Sequence, residues 1–126
     1  MSAECPYLTQ IAEIFSTGDA EAAAQLFAAD YRDHQRPDWL DVDGPAEFIA
    51  IVKSARSALP NLRVWVAGAP LRHHDLEVAL LHWSSQAEDG RTVERDTVET
   101  LRIESGRVAE HWGIEVRSTT QSSGNR

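Results

Sequence analysis

Residues 76–116 read LEVALLHWSSQAEDGRTVERDTVETLRIESGRVAEHWGIEV, and this stretch decides the fold. Three segments within it are rich in alternating apolar and polar residues, which is typical of half-buried β-strands. Asp89-Gly90 separates the first two segments and Ser105-Gly106 the last two. Both dipeptides favour two-residue hairpin turns in which both residues have positive φ. The stretch therefore predicts three antiparallel strands joined by two tight turns.

Two-residue turns also fix the register, because the first pairs Glu88 with Arg91 and the second pairs Glu104 with Arg107. Since side chains alternate between the faces of a strand, one face of the predicted sheet, here called face A, can be written out. Face A consists of Val78, Leu80, His82, Ser84, Val93, Arg95, Thr97, Glu99, Leu101, Ile103, Val108, Glu110, Trp112, Ile114 and Val116. The opposite face is more polar and carries Trp83 and His111. A single β-bulge would exchange part of this set.

Helical patterns precede these strands. The first helix is predicted from Tyr7 to Phe15 with its end at Gly18, the second from the capping residue Asp19 to Phe27, and the third from Asp43-Gly44-Pro45 to Pro60. Extended segments are predicted at Tyr31 to His34 and Leu62 to Ala67. Helices followed by an antiparallel meander predict an α+β domain in which a curved sheet wraps around the helices with face A inward. The mouth of such a cone is a common place for a small-molecule pocket.

Composition narrows the class of protein. The chain has 126 residues, of which 42% are hydrophobic, and this suits a single domain, expected at residues 1–117. The polar residues 118–126 are predicted to form a disordered tail. One cysteine, Cys5, excludes an internal disulfide, so a cytoplasmic location is expected, and no apolar run approaches the roughly 20 residues that span a membrane. A net charge of −8 with scattered basic residues argues against a nucleic-acid partner.

Three stretches occur in an order that carries family information. They are FSTGDAEAAAQLFAADYRDH (residues 15–34), GPAEFIAIVKSARSALPNLRV (44–64) and ETLRIESGRVAEHWGI (99–114). Together these stretches resemble the SnoaL-like polyketide cyclase family, within the nuclear transport factor 2-like superfamily. The resemblance runs from about residue 7 to about residue 116.

The resemblance implies a cone-shaped α+β barrel with a deep apolar pocket, dimerisation through the outer sheet face and no obligatory cofactor. His34 matches the histidine that closes the family's Asp-Tyr-x-x-His stretch. Glu99 stands where many members have aspartate, and Arg102 matches the arginine three residues later. The chain departs from the pattern at Gly113 and Val116, because members with cyclase activity usually carry an acid at one or the other of these two positions.

The ionisable residues of face A are the candidates for chemistry. An apolar pocket disfavours the charged form of a carboxylate and lets it exchange protons, so we expect Glu99 to act as general base or acid and Glu110 as a second acid. His82 or His34 would be the proton-transfer partner, and Arg95 would stabilise a developing oxyanion.

Each candidate has a structural alternative. Glu99 could simply pair with Arg95, Glu110 could lie at the solvated rim, and His82 could be a core histidine bonded to Thr97. His34 could be a loop or capping residue. The residues expected to contact a substrate are Tyr7, Phe15, Trp39, Phe48, Thr97, Leu101, Trp112 and Ile114. The alternative role of the aromatic residues among them is core packing.

These observations predict a small, cofactor-independent pocket enzyme that isomerises, cyclises or dehydrates an apolar cyclic or polyketide-like metabolite by proton transfer. Two alternatives stay open. One is epoxide-hydrolase-like activation of water by the two acids and Arg95. The other is a non-catalytic, dimeric domain that binds a small molecule. No metal site is predicted, because the adjacent His73 and His74 would point to opposite faces of a strand.

Overall fold

A computed structural model describes residues 5–35, 38, 40 and 42–121, the last two of these by their backbone alone. The described residues form three α-helices, one short 3-10 helix and five strands. In chain order these are α1 (Pro6–Thr17), a short 3-10 helix (Ala20–Ala22) that continues as α2 (Ala23–Leu26), β1 (Phe27–Asp33), α3 (Pro45–Ala58), β2 (Arg63–His73), β3 (Leu76–Gln86), β4 (Thr92–Glu104) and β5 (Arg107–Gln121). The predicted α+β fold, with a sheet curved around helices, is confirmed.

The five strands form one curled sheet that does not close. Their order is β1-β5-β4-β3-β2, and β2 to β5 are antiparallel neighbours, as the meander predicts. β1 is parallel to β5 and pairs with it only as far as Asp33 and His111. Beyond His111, the described part of β5 therefore forms an edge of the sheet. We call the side that faces the helices the inner face and the opposite side the outer face.

The helix boundaries follow from local chemistry. α1 buries Leu8, Ile11 and Phe15, and it ends at Gly18, whose φ of 81° lets its N–H bond the Ile14 carbonyl oxygen. α3 begins after Gly44 and ends at Ala58, two residues before Pro60. The predicted second helix is shorter than expected. Phe27 is fully buried in β1 rather than helical, because it packs its ring against Tyr31 and Phe48.

The first hairpin has a three-residue loop instead of the predicted two-residue turn. The Ala87 N–H donates to the Arg91 carbonyl oxygen at 2.8 Å, and only Gly90 of the loop has positive φ, at 87°. The second turn is as predicted, with positive φ at both Ser105 and Gly106. The extra loop residue shifts β3 by one position against β4.

This shift reverses the predicted orientation of β3. His82 pairs with Asp96 and not with Thr97, so it lies on the outer face together with Val78, Leu80 and Ser84. Leu81 is buried on the inner face instead. The assignment of these four residues to the inward face was therefore wrong.

A β-bulge causes a second reversal, on β5. Ile103 pairs with Val108 as predicted, but Arg102 pairs with Glu110, so Ala109 is an extra residue in the ladder. From that point Glu110 and Trp112 lie on the outer face and His111 on the inner face. The prediction had placed them the other way round.

The sheet extends further than the sequence suggested. β5 continues to Gln121, which pairs with Thr92, so residues 118–121 belong to the sheet and were wrongly assigned to a disordered tail. The rest of that tail, residues 122–126, lies outside the described residues. None of the described helices is long and apolar enough to cross a membrane.

Candidate active site

A cavity of about 440 Å³ lies between the helices and the inner face. The side chains that surround it come from the helices α1 and α3, from the strands β1, β3, β4 and β5, and from Gln35, which follows β1. Its apolar part is lined by Leu8, Ile11, Phe15, Phe48, Ile51, Ala55, Leu81, Trp83 and Ile114. Its polar part is lined by Tyr31, Asp33, Gln35, Ser54, Arg95, Thr97, Glu99, His111 and Glu115. Polar groups thus converge on a largely apolar space, which is typical of small-molecule sites.

Asp33, His111 and Glu99 form a continuous row of side chains, here called the acid–imidazole row. The parallel pairing of β1 with β5 places Asp33 beside His111, and the antiparallel pairing of β4 with β5 places Glu99 near His111. His111 Nε2 is hydrogen-bonded to Glu99 Oε1. His111 Nδ1 lies 3.1 Å from Asp33 Oδ2 but off the hydrogen-bonding direction, so this contact is ionic.

The two carboxylates hold a proton on the imidazole. Burial by itself lowers the pKa of His111, but the contacts with Asp33 and Glu99 outweigh burial and raise it to about 9. Burial raises the pKa of Asp33, but the contacts with His111, the Gln35 N–H and the Tyr31 hydroxyl together outweigh burial, so this pKa lies below its ordinary value. At neutral pH, His111 is therefore an imidazolium and Asp33 is ionised.

Neighbouring groups fix Asp33 in place. Its carboxylate accepts a hydrogen bond from the Gln35 backbone N–H at 2.8 Å and one from the Tyr31 hydroxyl at 3.2 Å. Its own backbone N–H donates to Oε1 of Glu47, a fully buried residue of α3, at 2.9 Å. Burial also raises the pKa of Tyr31 well above its ordinary value, so its hydroxyl remains a donor.

Gly113 leaves room for the carboxylate of Glu99. Gly113 lies opposite Glu99, and a Cβ atom on it would come within 2.6 Å of Glu99 Oε1 and 2.5 Å of Gln35 Oε1. The carboxylate of Glu99 and the amide of Gln35 thus meet over Gly113. Any larger residue would have to displace both of these side chains.

A second set of polar side chains lines the cavity near the start of β4. The guanidinium of Arg95 stacks on the Trp83 ring at 4.9 Å from its centroid, and its Nη1 is 3.7 Å from Glu115 Oε1. Trp83 in turn donates its indole N–H to Thr97 Oγ1 at 2.8 Å and packs edge-to-face against Phe15. This set of contacts forms a second polar region of the cavity wall.

The structure divides the residues predicted from sequence into two sets. Those that line the cavity are Glu99, Arg95, Phe15, Phe48, Thr97 and Ile114. Ile114 pairs with Val98 on the outer face, contrary to its predicted place in face A, and its largely exposed side chain borders the cavity around the free edge of β5. Those on the outer face are His82, His34, Glu110 and Trp112.

The outer-face residues are engaged in contacts of their own. His82 contacts Asp96 at 2.6 Å and Glu94 at 2.9 Å. The His34 ring bonds Glu110 at 2.8 Å and stacks on Trp112 with the ring centroids 4.8 Å apart. The predicted pocket roles of these residues are wrong, because strand alternation and the two register shifts turn them away from the cavity.

Three further substrate-contact predictions have other outcomes. Tyr7 is not a lining residue and donates its hydroxyl to the Gly106 carbonyl oxygen at 2.9 Å. Leu101 is fully buried in the core. Trp39 lies outside the described residues. The predicted water site of two acids around Arg95 does not form, because Glu110 is on the opposite side of the sheet.

Sequence reasoning missed Asp33, Tyr31, Gln35, Trp83 and His111. Tyr31 and Asp33 share a strand face, so alternation from an apolar anchor at Tyr31 would have indicated an inward Asp33. The glycine at position 90, read as the third residue of a longer loop, would have turned Trp83 inward. In the described part of the chain, no group of three or more His, Cys, Asp or Glu side chains is arranged to hold a metal ion.

Comparison with known families identifies the family of this chain. The family model for the SnoaL-like polyketide cyclase matches residues 7–121, which is almost the whole chain. The chain belongs to the SnoaL-like polyketide cyclase family. No curated protein matches this SnoaL-like chain at a significant level.

Solved structures share this fold. A proposed polyketide cyclase from Acidithiobacillus ferrooxidans is 25% identical to this SnoaL-like protein, with a TM-score of 0.76 over 93% of this chain and 92% of that one. A proposed polyketide cyclase from Bacillus cereus is 19% identical, with a TM-score of 0.78 over 89% and 73% of the two chains. A Catenulispora acidiphila protein with a ketosteroid isomerase-like fold is 16% identical, with a TM-score of 0.72 over 86% and 84%.

Proposed function

We propose that this protein is a cofactor-independent enzyme that moves a proton on an apolar cyclic or polyketide-like ketone, with isomerisation or ring closure as the outcome. The observation that carries the proposal is the acid–imidazole row at the wall of a mainly apolar cavity. A buried carboxylate beside a fixed positive charge can accept a proton from carbon and return it elsewhere.

Glu99 is the general base in this proposal. It removes a proton from the carbon next to a substrate carbonyl, and the electron pair of the broken C–H bond forms the enolate. The enolate then either takes the proton back at another position, which isomerises the substrate, or attacks a second carbonyl of the same molecule, whose oxygen receives the proton. Both routes leave the enzyme unchanged, so no co-reactant is required.

The other polar residues have supporting roles. The His111 imidazolium orients the Glu99 carboxylate through Nε2, and Asp33 keeps that imidazole protonated. The Gln35 side chain also lines the cavity, and its Nε2 is the group that can donate to the carbonyl oxygen as negative charge develops. Asp33 acts through His111 and is a positioning residue.

Glycine 113 supports the choice of Glu99 as the base. The family resemblance implies an acid either at this position or three residues later in members with cyclase activity, and here the space beside Gly113 is filled by the Glu99 carboxylate. We infer that an acid has been kept at the same point of the cavity but is supplied by the neighbouring strand.

Hydrogen–deuterium exchange at carbon tests the proposal. Purified protein in D₂O is mixed with apolar bicyclic ketones such as β-tetralone and with polyketide-like diketones, and loss of the α-proton signal is followed by NMR. The wild type should accelerate exchange of at least one of them. Glu99→Gln should lower that rate by about 10²- to 10⁴-fold while ligand affinity and folding are retained.

Glu110→Gln is the matched control, because Glu110 lies on the outer face and should leave the exchange rate unchanged. Equal rates in Glu99→Gln and the wild type would contradict the proposal. Tight binding of these ketones without faster exchange would instead support a non-catalytic binding domain.

We also propose that the outer face pairs with a second copy of this chain. Two adjacent rows across the strands are mainly apolar, one formed by Leu80, Val98 and Ile114, the other containing Leu71, Val78, Thr100 and Trp112. Ile114 is 66% and Leu71 57% exposed. A mainly polar row borders these two apolar rows on each side. The charged side chains of the polar rows already have partners, as His82 has Asp96 and Arg102 has Glu110. An apolar centre with a neutralised rim favours a copy of itself over a charged partner.

A further inference from the structure

Arg95 and the acid–imidazole row lie at separate positions along the cavity. Arg95, Thr97 and Glu99 are alternate residues of β4 and all line the cavity. Four residues of strand place the Cα atoms of Arg95 and Glu99 about 13 Å apart, so the two side chains start from separate positions along the cavity wall. The cavity therefore has a proton-transfer end and a cationic end.

The guanidinium of Arg95 is held in orientation, but its N–H groups lack hydrogen-bond acceptors among the described residues. Stacking on Trp83 holds its plane, and the hydrogen bond from Trp83 to Thr97 holds the indole. The distance of 3.7 Å to Glu115 is too long for a hydrogen bond, and both side chains are exposed. Within the described residues, the guanidinium donates no hydrogen bond to the protein, so its N–H groups are available to a ligand.

Other arginines on the same sheet are arranged differently. Arg102 donates to Glu110 at 2.5 Å, and Arg117 donates to Asp96 at 3.0 Å. Arg95 is the one lysine or arginine among the described residues that line the cavity. The cation that lines the cavity is thus held less closely by acidic side chains than Arg102 and Arg117 are.

We propose that Arg95 binds a carboxylate at the end of an elongated, apolar ligand whose reacting carbon lies at Glu99. The assignment of the reacting end rests on the proposed function, whereas the anion site does not. A guanidinium matches a carboxylate with two parallel hydrogen bonds, and its stacked position reduces the entropy lost on binding. The substrate class is therefore an elongated, amphipathic ketoacid with its acid group at the end remote from the reacting centre.

A pair of fluorescent probes tests the anion site. Anilinonaphthalene sulfonate and N-phenylnaphthylamine share the same rings, and only the first carries an anionic group, which stands in for the carboxylate. Arg95→Gln should weaken binding of the sulfonate about tenfold and change binding of the neutral probe by less than about twofold. Arg63→Gln, at an exposed position of β2, is the matched control and should affect neither probe.

Two further measurements separate a charge interaction from a packing effect. Glu115→Gln removes the acid nearest to Arg95 and should strengthen sulfonate binding by about two- to fivefold. Added salt should weaken sulfonate binding to the wild type more than to Arg95→Gln.

Specific outcomes overturn this inference. If Arg95→Gln weakens both probes equally, Arg95 only supports the Trp83 wall, and if it weakens neither, Arg95 does not contact the ligand. Selective loss of the sulfonate together with absent carbon-proton exchange would leave the anion site standing and remove the proposed function. Failure of the neutral probe to bind the wild type would overturn both, because the apolar cavity itself would not accept ligands.

Discussion

Gly113 lies directly opposite Glu99 in the β4–β5 ladder, and a Cβ atom on it would come within 2.6 Å of Glu99 Oε1. Gly113→Ala should therefore push the Glu99 carboxylate away from His111 and lower the rate of carbon-proton exchange by about tenfold or more. The free energy of unfolding should change by less than about 1 kcal/mol, because the contacts are with the ends of flexible side chains. Exchange NMR and urea denaturation measure the two effects.

Gly68→Ala is the control for this substitution. Gly68 is also a glycine of the sheet, but no atom lies within 4 Å of a Cβ built on it. It should leave the exchange rate unaltered. An unimpaired Gly113→Ala enzyme would show that the position of the Glu99 carboxylate does not matter.

Protonation of His111 should make stability depend on pH. Its pKa is raised to about 9 in the folded protein, above the ordinary value of 6.5, so the folded state binds the proton more tightly. The resulting stabilisation is complete below pH 6.5 and is lost as pH rises through about 9. It amounts to about 3 kcal/mol at most, at about 1.4 kcal/mol for each pKa unit. Urea denaturation between pH 6 and pH 10 measures it.

His111→Gln should remove most of this pH dependence, and the matched outer-face variant His34→Gln should retain it. The imidazole carbon protons of His111 should also titrate near pH 9 by NMR. A midpoint below pH 7 would contradict the charge assigned to the acid–imidazole row.

Glu77 should stabilise the start of α1. It is fully buried on β3 and accepts hydrogen bonds from the backbone N–H groups of Leu8 at 2.9 Å and Tyr7 at 3.2 Å. Glu77→Ala leaves these N–H groups without an acceptor and should cost about 2 kcal/mol of unfolding free energy. Burial raises the pKa of Glu77, so the neutral Glu77→Gln, which keeps one acceptor, should cost less than about 1 kcal/mol.

Denaturant unfolding of both Glu77 variants checks this order. Glu88→Ala, in the exposed loop between β3 and β4, should be nearly neutral. If Glu77→Gln is as destabilising as Glu77→Ala, the ionised carboxylate rather than its acceptor oxygen is required.

Self-association should depend on the centre of the outer face. Val98 lies in the middle of its apolar rows, so Val98→Lys should weaken the dimer by about 30-fold or more, because a buried lysine would lack a partner. Sedimentation velocity over a range of concentrations measures the change. Val42→Lys, at an exposed apolar residue outside the sheet, should leave association intact. A monomeric wild type at high concentration would refute the proposed pairing.

Local signals in the sequence were sufficient to predict the overall architecture. Gly18 ends α1, Pro60 limits α3, and Ser105-Gly106 forms the predicted turn, because each acts through the backbone of its immediate neighbours. These signals, with the order of the elements, fix an α+β fold with a curved sheet.

The orientation of the strands was harder to predict. β3 contains LEVALLHW, in which both alternate sets are apolar, so hydrophobicity does not say which set faces the helices. The loop at Asp89-Gly90 is compatible with two lengths, and these differ by the one residue that reverses His82 and Trp83. Glu99 was placed correctly because β4 sets the reference face, whereas His111 was misplaced because nothing in the sequence marks the bulge at Ala109.

The bulge at Ala109 determines which of the following β5 residues lie on the inner face and which lie on the outer face. Because His111 and Trp112 are consecutive, loss of the Ala109 codon would place the tryptophan in the cavity and the histidine on the outside in one event. Relatives that differ by an insertion or deletion here would then be expected to differ both in chemistry and in assembly, even when every other residue is retained.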